Sequence, residues 1–231
     1  MLPEIVLVSL WGGLVSMDTT AFLQIMTSRP LVTCSVVGLI LGNLQLGLLI
    51  GILLELAYIS ELPVGAAKFS ESNVGAVSAA AVAELCIRRF PDREDAVIFF
   101  AILTALVVSA VGGVLVSRMR SFNTRNYTRI LELRQIRPRD IAGAHRSGLL
   151  AAFLLGFFCV FISSIVLTAV IPYLLMGFPH PYDRMFKAAI GGLLAAESVF
   201  LIHMFWTQTR QRYLIFIGAA LGLLLLLLRM Q

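Results

Sequence analysis

Charge is scarce in this chain. Asp, Glu, Lys and Arg make up 13% of its 231 residues, against 59% hydrophobic, and a soluble domain of that size needs far more polar surface to cover itself. An ordinary soluble globular protein is excluded, and an integral membrane protein is expected. Cysteine is nearly absent. Cys34, Cys86 and Cys159 lie far apart in or beside apolar runs with no CxxC spacing, which speaks against a disulfide or a metal cluster and for small buried side chains. Histidine is as rare: His145 sits among arginines, His180 in a proline-rich turn and His203 within an apolar run. No nucleophile and base pair, zinc motif or nucleotide loop is present. The sequence therefore predicts no catalytic residue, no metal and no cofactor. The run from Ile5 to Leu14 lacks both a basic n-region and an obvious small-residue cleavage site, so it is not read as a removable signal peptide.

What the chain does have is apolar length. Crossing about 30 Å of hydrocarbon takes roughly 20 apolar residues as helix. Residues 96–117 form one such run, 147–178 another without a single charged residue, and 188–206 and 213–228 two shorter ones. The expected fold class is all-α, a polytopic membrane protein with transmembrane helices and re-entrant, broken helical hairpins.

The net charge of +5 is concentrated. Between residues 118 and 146 stand eight arginines, Arg118, Arg120, Arg125, Arg129, Arg134, Arg137, Arg139 and Arg146, against Glu132 and Asp140. A basic run of this kind suits nucleic acid or anionic lipid, but beside membrane spans it marks a cytoplasmic loop. No nucleic-acid partner is expected. Crossing once from that loop puts "PYLLMGFPHPYDR" outside, and crossing back puts Arg210 and Arg212 inside again. The chain reads as one membrane-embedded domain over 1–231, with an N-terminal half (1–117), the basic cytoplasmic loop (118–146) and C-terminal helices (147–231).

Residues 30–60 do not read as two ordinary spans. "LVTCSVVGLIL" (31–41) and "LLIGILLELAYIS" (48–60) are each too short to cross, and between them lies the polar turn "GNLQLG" (42–47). Two half-length arms around a polar turn predict a re-entrant hairpin, whose non-helical backbone is tolerated at depth only where protein or water satisfies it. The alternative is one long tilted helix kinked at Gly42 and Gly47. Upstream, "SMDTTAFLQIMTSRP" interrupts apolar sequence with Asp18, Thr19, Thr20, Gln24 and Arg29 and stops at Pro30, which forbids a continuous helix. Asp18 is either a helix-end residue or functional, and Arg29 either an interface anchor or functional.

Downstream, "ELPVGAAKFSESN" (61–73) places Glu61, Lys68 and Glu71 around a Pro-x-Gly break, ahead of the small-residue helix "VGAVSAAAVAEL". Gly, Ala and Ser at close spacing let membrane helices approach tightly. At a surface the charges of 61–73 are merely solvated; inside, they mark a pathway or pocket. Glu197, in "GGLLAAESVF", is a further carboxylate in mid-helix, and its "GLLAAE" faintly echoes "GILLE" at 51–55.

In this order, "QIMTSRPLV", "LGNLQLGLLIGILLEL" and "ELPVGAA" resemble the N-terminal half of the IIC subunit of the mannose/fructose/sorbose family of the bacterial sugar phosphotransferase system. The resemblance is specific over about residues 10–85; beyond 96 it rests on length and hydropathy. It implies a multi-pass permease subunit of the bacterial inner membrane. Such a subunit translocates a hexose-type sugar, works among membrane lipid with a IID partner in a higher oligomer of the IIC–IID pair, and depends on cytoplasmic IIA and IIB proteins for phosphate. The chain itself is then a transporter subunit and not an enzyme. Carried over residue by residue, Gln24 matches the family's glutamine before Arg-Pro, Glu55 its Leu-Glu glutamate, and Val64 to Ala67 its Val-Gly-Ala-Ala. Amides and carboxylates on fixed backbone suit sugar hydroxyls, which both donate and accept. The substrate-binding set expected is Gln24, Glu55, Glu61, Gly65, Ala66, Lys68, Glu71 and Asn73. One departure stands out: the family usually continues through a proline and one or two aspartates, where this chain has "KFSESN". Lys68 then pairs with Glu61 or Glu71, or favours an anionic sugar. The departure also motivates an alternative, a transport-inactive member serving as a membrane docking or sensing protein. A third reading, an intramembrane enzyme built on Glu55, Glu61 and Lys68, has no motif behind it.

Overall fold

In lipid every backbone N–H and C=O must be satisfied within the protein, which a helix does by itself. The computed structural model describes the chain apart from residues 20, 23, 60–69, 134, 207, 208, 230 and 231, and apart from the side chains of 200, 201, 204, 205, 209–212, 223, 225–227 and 229. The described residues form α1 (Leu2–Asp18), α2 (Pro30–Leu41), α3 (Leu44–Ala57), α4 (Ser72–Ile87), α5 (Glu94–Leu131), α6 (Pro138–Gly177), α7 (Asp183–Phe205) and α8 (Thr209–Arg229). Among them there is no strand. The fold is an all-α membrane protein.

The hairpin is real, and tighter than the sequence suggests. Gly42 takes φ +89°, a left-handed conformation open to glycine at little cost, and donates to the Gly38 carbonyl. Asn43 then caps α3 by accepting from the Leu46 N–H at 3.2 Å. Only Gly42 and Asn43 make the turn; Leu44 to Gly47 are already helical. The arms lie so close that a Cβ on Gly47 would come within 2.5 Å of the Cys34 carbonyl oxygen.

Helix α4 is the centre of the molecule. It packs against α1, α2, α3, α5 and α6, and every residue from Asn73 to Cys86 is buried. Its small residues are what permit this: a Cβ on Gly75 would sit 2.5 Å from the Ala105 carbonyl oxygen on α5. The tight helix approach expected of these small residues is thus made inside the chain. Hydroxyls in these helices satisfy themselves against their own backbone, as Ser78 does on the Val74 carbonyl and Thr104 on that of Phe100.

Helices α5 and α6 have 38 and 40 residues, so each is roughly 57–60 Å long, about twice the hydrocarbon thickness. Their surplus length carries the arginines. The basic segment is thus an exposed helical arm, with its connection confined to residues 132–137, and not a loop over 118–146.

The two ends of the bundle differ. At one, Arg88 donates to Glu4 of α1 at 2.7 Å and to the Leu41 carbonyl at the hairpin tip at 2.5 Å. Close by, Arg93 bonds Asp183 and the carbonyls of Leu175 and Phe178. At the other end lie the last residue of α1, the start of α2, the end of α3 and the start of α4.

Candidate functional site

At that second end two breaks in the helical backbone leave four helix ends close together, and these surround a cleft of about 420 Å³. Asp18 closes α1. It is 4% exposed, and its two carboxylate oxygens accept from the Ile25 N–H at 2.7 Å and the Ser28 N–H at 3.0 Å. That matters because the loop between holds two strained residues. Gln24 and Met26 take φ +54° and +66°, conformations that cost side-chain-bearing residues about 1–3 kcal/mol each and persist only where the surroundings fix them. Asp18 is the fixing group, supplying acceptors where the backbone has left the helix.

Glu55 does the same for the next break. At the end of α3 it accepts from the Leu31 N–H at 3.1 Å, one of the unpaired donors in the first turn of α2, and from Arg29 at 3.4 Å. A carboxylate there also complements the positive end of the helix. Asn73 ties α4 to α1: its amide donates to the Thr19 hydroxyl at 2.7 Å and to the Val15 carbonyl, and its oxygen accepts from Val74. Glu71 accepts from the same Thr19 hydroxyl at 3.5 Å, while its own N–H bonds the Ser109 carbonyl at 2.9 Å. Tyr58 reaches the Ser109 hydroxyl at 3.1 Å.

Gln24, Glu55, Glu71 and Asn73, predicted from sequence, all line this one cleft. Glu61, Gly65, Ala66 and Lys68 lie outside the described residues. Sequence reasoning marked Thr19 only as a polar interruption and missed Tyr58 and Arg120 as cleft residues. It left Asp18 undecided, although a lone acid just before a non-helical stretch is the signal of a residue that holds backbone donors. Among the described residues no group of three or more His, Cys, Asp or Glu gathers as a metal site. Glu84, on α4 and outside the cleft, is 1% exposed with one oxygen unpartnered among the described residues.

A family model described as the sorbose-specific IIC component of the phosphotransferase system matches residues 2–227. The chain belongs to that family. The match runs through the region beyond residue 96, where motifs carried little. Two sorbose-specific EIIC components are similar over shorter stretches, one from Lacticaseibacillus casei (36% identical over 69 residues) and one from Klebsiella pneumoniae (40% over 57). The aligned segments span 30% and 25% of this chain and only 24% and 21% of those relatives. Two solved structures share the fold over 100% of this chain and 96% of theirs. One is described as a membrane protein (TM-score 0.69, 21% identity), the other as the mannose transporter ManYZ in complex with microcin E492 (TM-score 0.58, 20% identity). At that identity the likeness is one of fold.

Proposed function

We propose that this IIC chain binds a hexose-type sugar in the cleft and carries it across the bacterial inner membrane, as one multi-pass unit, while a IIB protein recharged by IIA phosphorylates it. The observation that carries this reading is the convergence of four helix ends and a strained loop on one polar cleft, inside a chain that is otherwise apolar. Broken helices supply backbone and side-chain groups at depth without leaving them open to lipid, which is what a hydroxyl-rich solute needs. The related proteins named for sorbose, and the fold neighbour named for mannose, support a sugar as the occupant.

In this reading Gln24 and Glu71 face the sugar, and Glu55 and Asn73 hold the cleft walls. Glu61, Gly65, Ala66 and Lys68 belong to the connector beyond Glu55 and complete the site. A IID subunit covers part of the exposed apolar surface, and the pair assembles further. The chain supplies no phosphoryl chemistry of its own.

Uptake of labelled hexoses and amino sugars by cells carrying this chain with its IID partner tests the proposal. Accumulation of one or a few sugars as phosphate esters is expected. No uptake of any sugar by a complex that assembles normally would reject transport in favour of a docking or sensing role, which the "KFSESN" departure would then explain.

A further inference from the structure

Arg120 is a cleft residue that no motif announces. Val116, Met119 and Arg120 share one face of α5 by their i, i+3, i+4 spacing, and all three line the cleft. Arg120 is exposed, and among the described residues its guanidinium has no carboxylate within ion-pair reach. The cleft's acids have other duties. Both oxygens of Asp18 take backbone N–H groups, those of Glu55 take Leu31 and Arg29, and Glu71, the third acid of the cleft, accepts from the Thr19 hydroxyl at 3.5 Å. Arg29, half exposed and paired among the described residues only through that 3.4 Å contact, keeps most of its donors available. An anionic group entering the cleft thus meets one uncommitted guanidinium and a second that is lightly held.

A neutral hexose takes only ordinary hydrogen bonds from a guanidinium, whereas a phosphate monoester gains from its charge as well. It carries close to two negative charges near neutral pH, and the planar fork of an arginine binds it through paired hydrogen bonds. Position points the same way. Arg120 lies where α5 leaves the cleft and enters the arginine-bearing arm with Arg118, Arg125 and Arg129, the end that the charge rule assigns to the cytoplasm. Sugar phosphate formed on that side passes Arg120 on its way out.

Resting on the proposed use of the cleft for sugar, we infer that the cleft also takes the phosphorylated sugar, with Arg120 receiving the phosphate and Arg29 assisting. The free sugar and its ester then share one site and differ in a single contact.

The test is calorimetry on the purified complex of this chain with its second membrane subunit, in detergent free of phospholipid. The probes are mannose, fructose and sorbose, each against its monophosphate ester, with inorganic phosphate as a control. For a sugar that binds, the ester binds as well and competes with it. Arg120→Gln lowers the ratio of ester to sugar affinity by about 10–100 fold, the worth of one charge-assisted contact, and Arg120→Lys recovers part of it. Added salt weakens the ester more than the sugar. Several results would overturn the inference: a sugar that binds while its ester does not, an unchanged ratio in Arg120→Gln, or inorganic phosphate binding as tightly as the ester. Displacement of the ester by added phosphatidylglycerol would also overturn it, by making a lipid headgroup the occupant of Arg120. A wild-type complex that binds no sugar and no ester rejects the use of the cleft for sugar, and the inference falls with it.

Discussion

Glu55 illustrates how a single carboxylate can shape a site while touching little of what enters it. Its oxygens are occupied by the Leu31 N–H and the Arg29 guanidinium, so its first task is to hold the start of α2 against the end of α3. Glu55→Gln keeps an acceptor for Leu31 and loses the charge that orients Arg29; Glu55→Ala loses both. Sugar affinity of the purified complex should therefore fall in the order wild type, Gln, Ala. The loss should reach about 1–3 kcal/mol for Ala, since a helix-end donor is left unpaired in a half-buried place. Equal affinity in all three would remove Glu55 from the cleft's support. The residues that carry this site were partly legible in the sequence, for a physical reason. Glu55 is a carboxylate inside an apolar run, and Gln24, Glu71 and Asn73 stand in short polar interruptions between such runs, where each must have a partner or a use. Arg120 was not legible, because it sits in an arginine-rich stretch where any one arginine looks like the rest. Only the register of α5 sets it on the cleft side.

Among the elements, the joint between α5, α6 and α7 rests on Arg93. Its side chain is 8% exposed, and it bonds Asp183 at 2.7 Å and the carbonyls of Leu175 and Phe178 at 2.8 Å each. The carbonyls belong to the last turn of α6, whose unpaired acceptors Arg93 satisfies. Removing Asp183 strands a nearly buried cation, whereas Arg93→Met removes the charge together with its need for a partner. Asp183→Ala should destabilise the protein by about 3–5 kcal/mol and Arg93→Met by less. Apparent melting temperatures of the purified complex check the order, and a greater loss in Arg93→Met would mean that the carbonyl contacts matter more than the ion pair. The hairpin shows what pattern reading resolves at this scale. Two short apolar arms about a polar centre were enough to predict the reversal, but not its length. Gln45 and Gly47 looked like turn residues, yet once Gly42 supplies the left-handed step and Asn43 the cap, the helix resumes at Leu44. Likewise the arginine-rich segment read as a loop because charge rules speak only of sidedness, whereas its backbone continues α5 and α6.

For the whole molecule the decisive question is which way the cleft faces. The helical arm of α5 and α6 extends from the same end as the cleft, while Glu4, Arg88, Arg93 and the turn around His180 gather at the other. Orientation of the arm therefore orients the site. With eight arginines against two acids between residues 118 and 146, the positive-inside rule predicts a cytoplasmic arm, and under the proposed function the cleft then opens where a phosphorylating partner works. Ser121 is exposed on α5, and His180 is exposed in the opposite turn. The native thiols compete little, because Cys34 and Cys86 are buried and Cys159 is half-buried. In intact cells a membrane-impermeant maleimide should label His180→Cys from outside and leave Ser121→Cys untouched until the membrane is opened. Labelling of Ser121→Cys from outside would invert the molecule and turn the cleft of this conformation toward the exterior. Sugar could still enter there, but IIB could not meet it, and Arg120 would lie on the wrong side to receive a phosphate made in the cytoplasm. Two cysteines at opposite ends of the bundle thus test the topology and, with it, the direction in which the cleft releases its cargo.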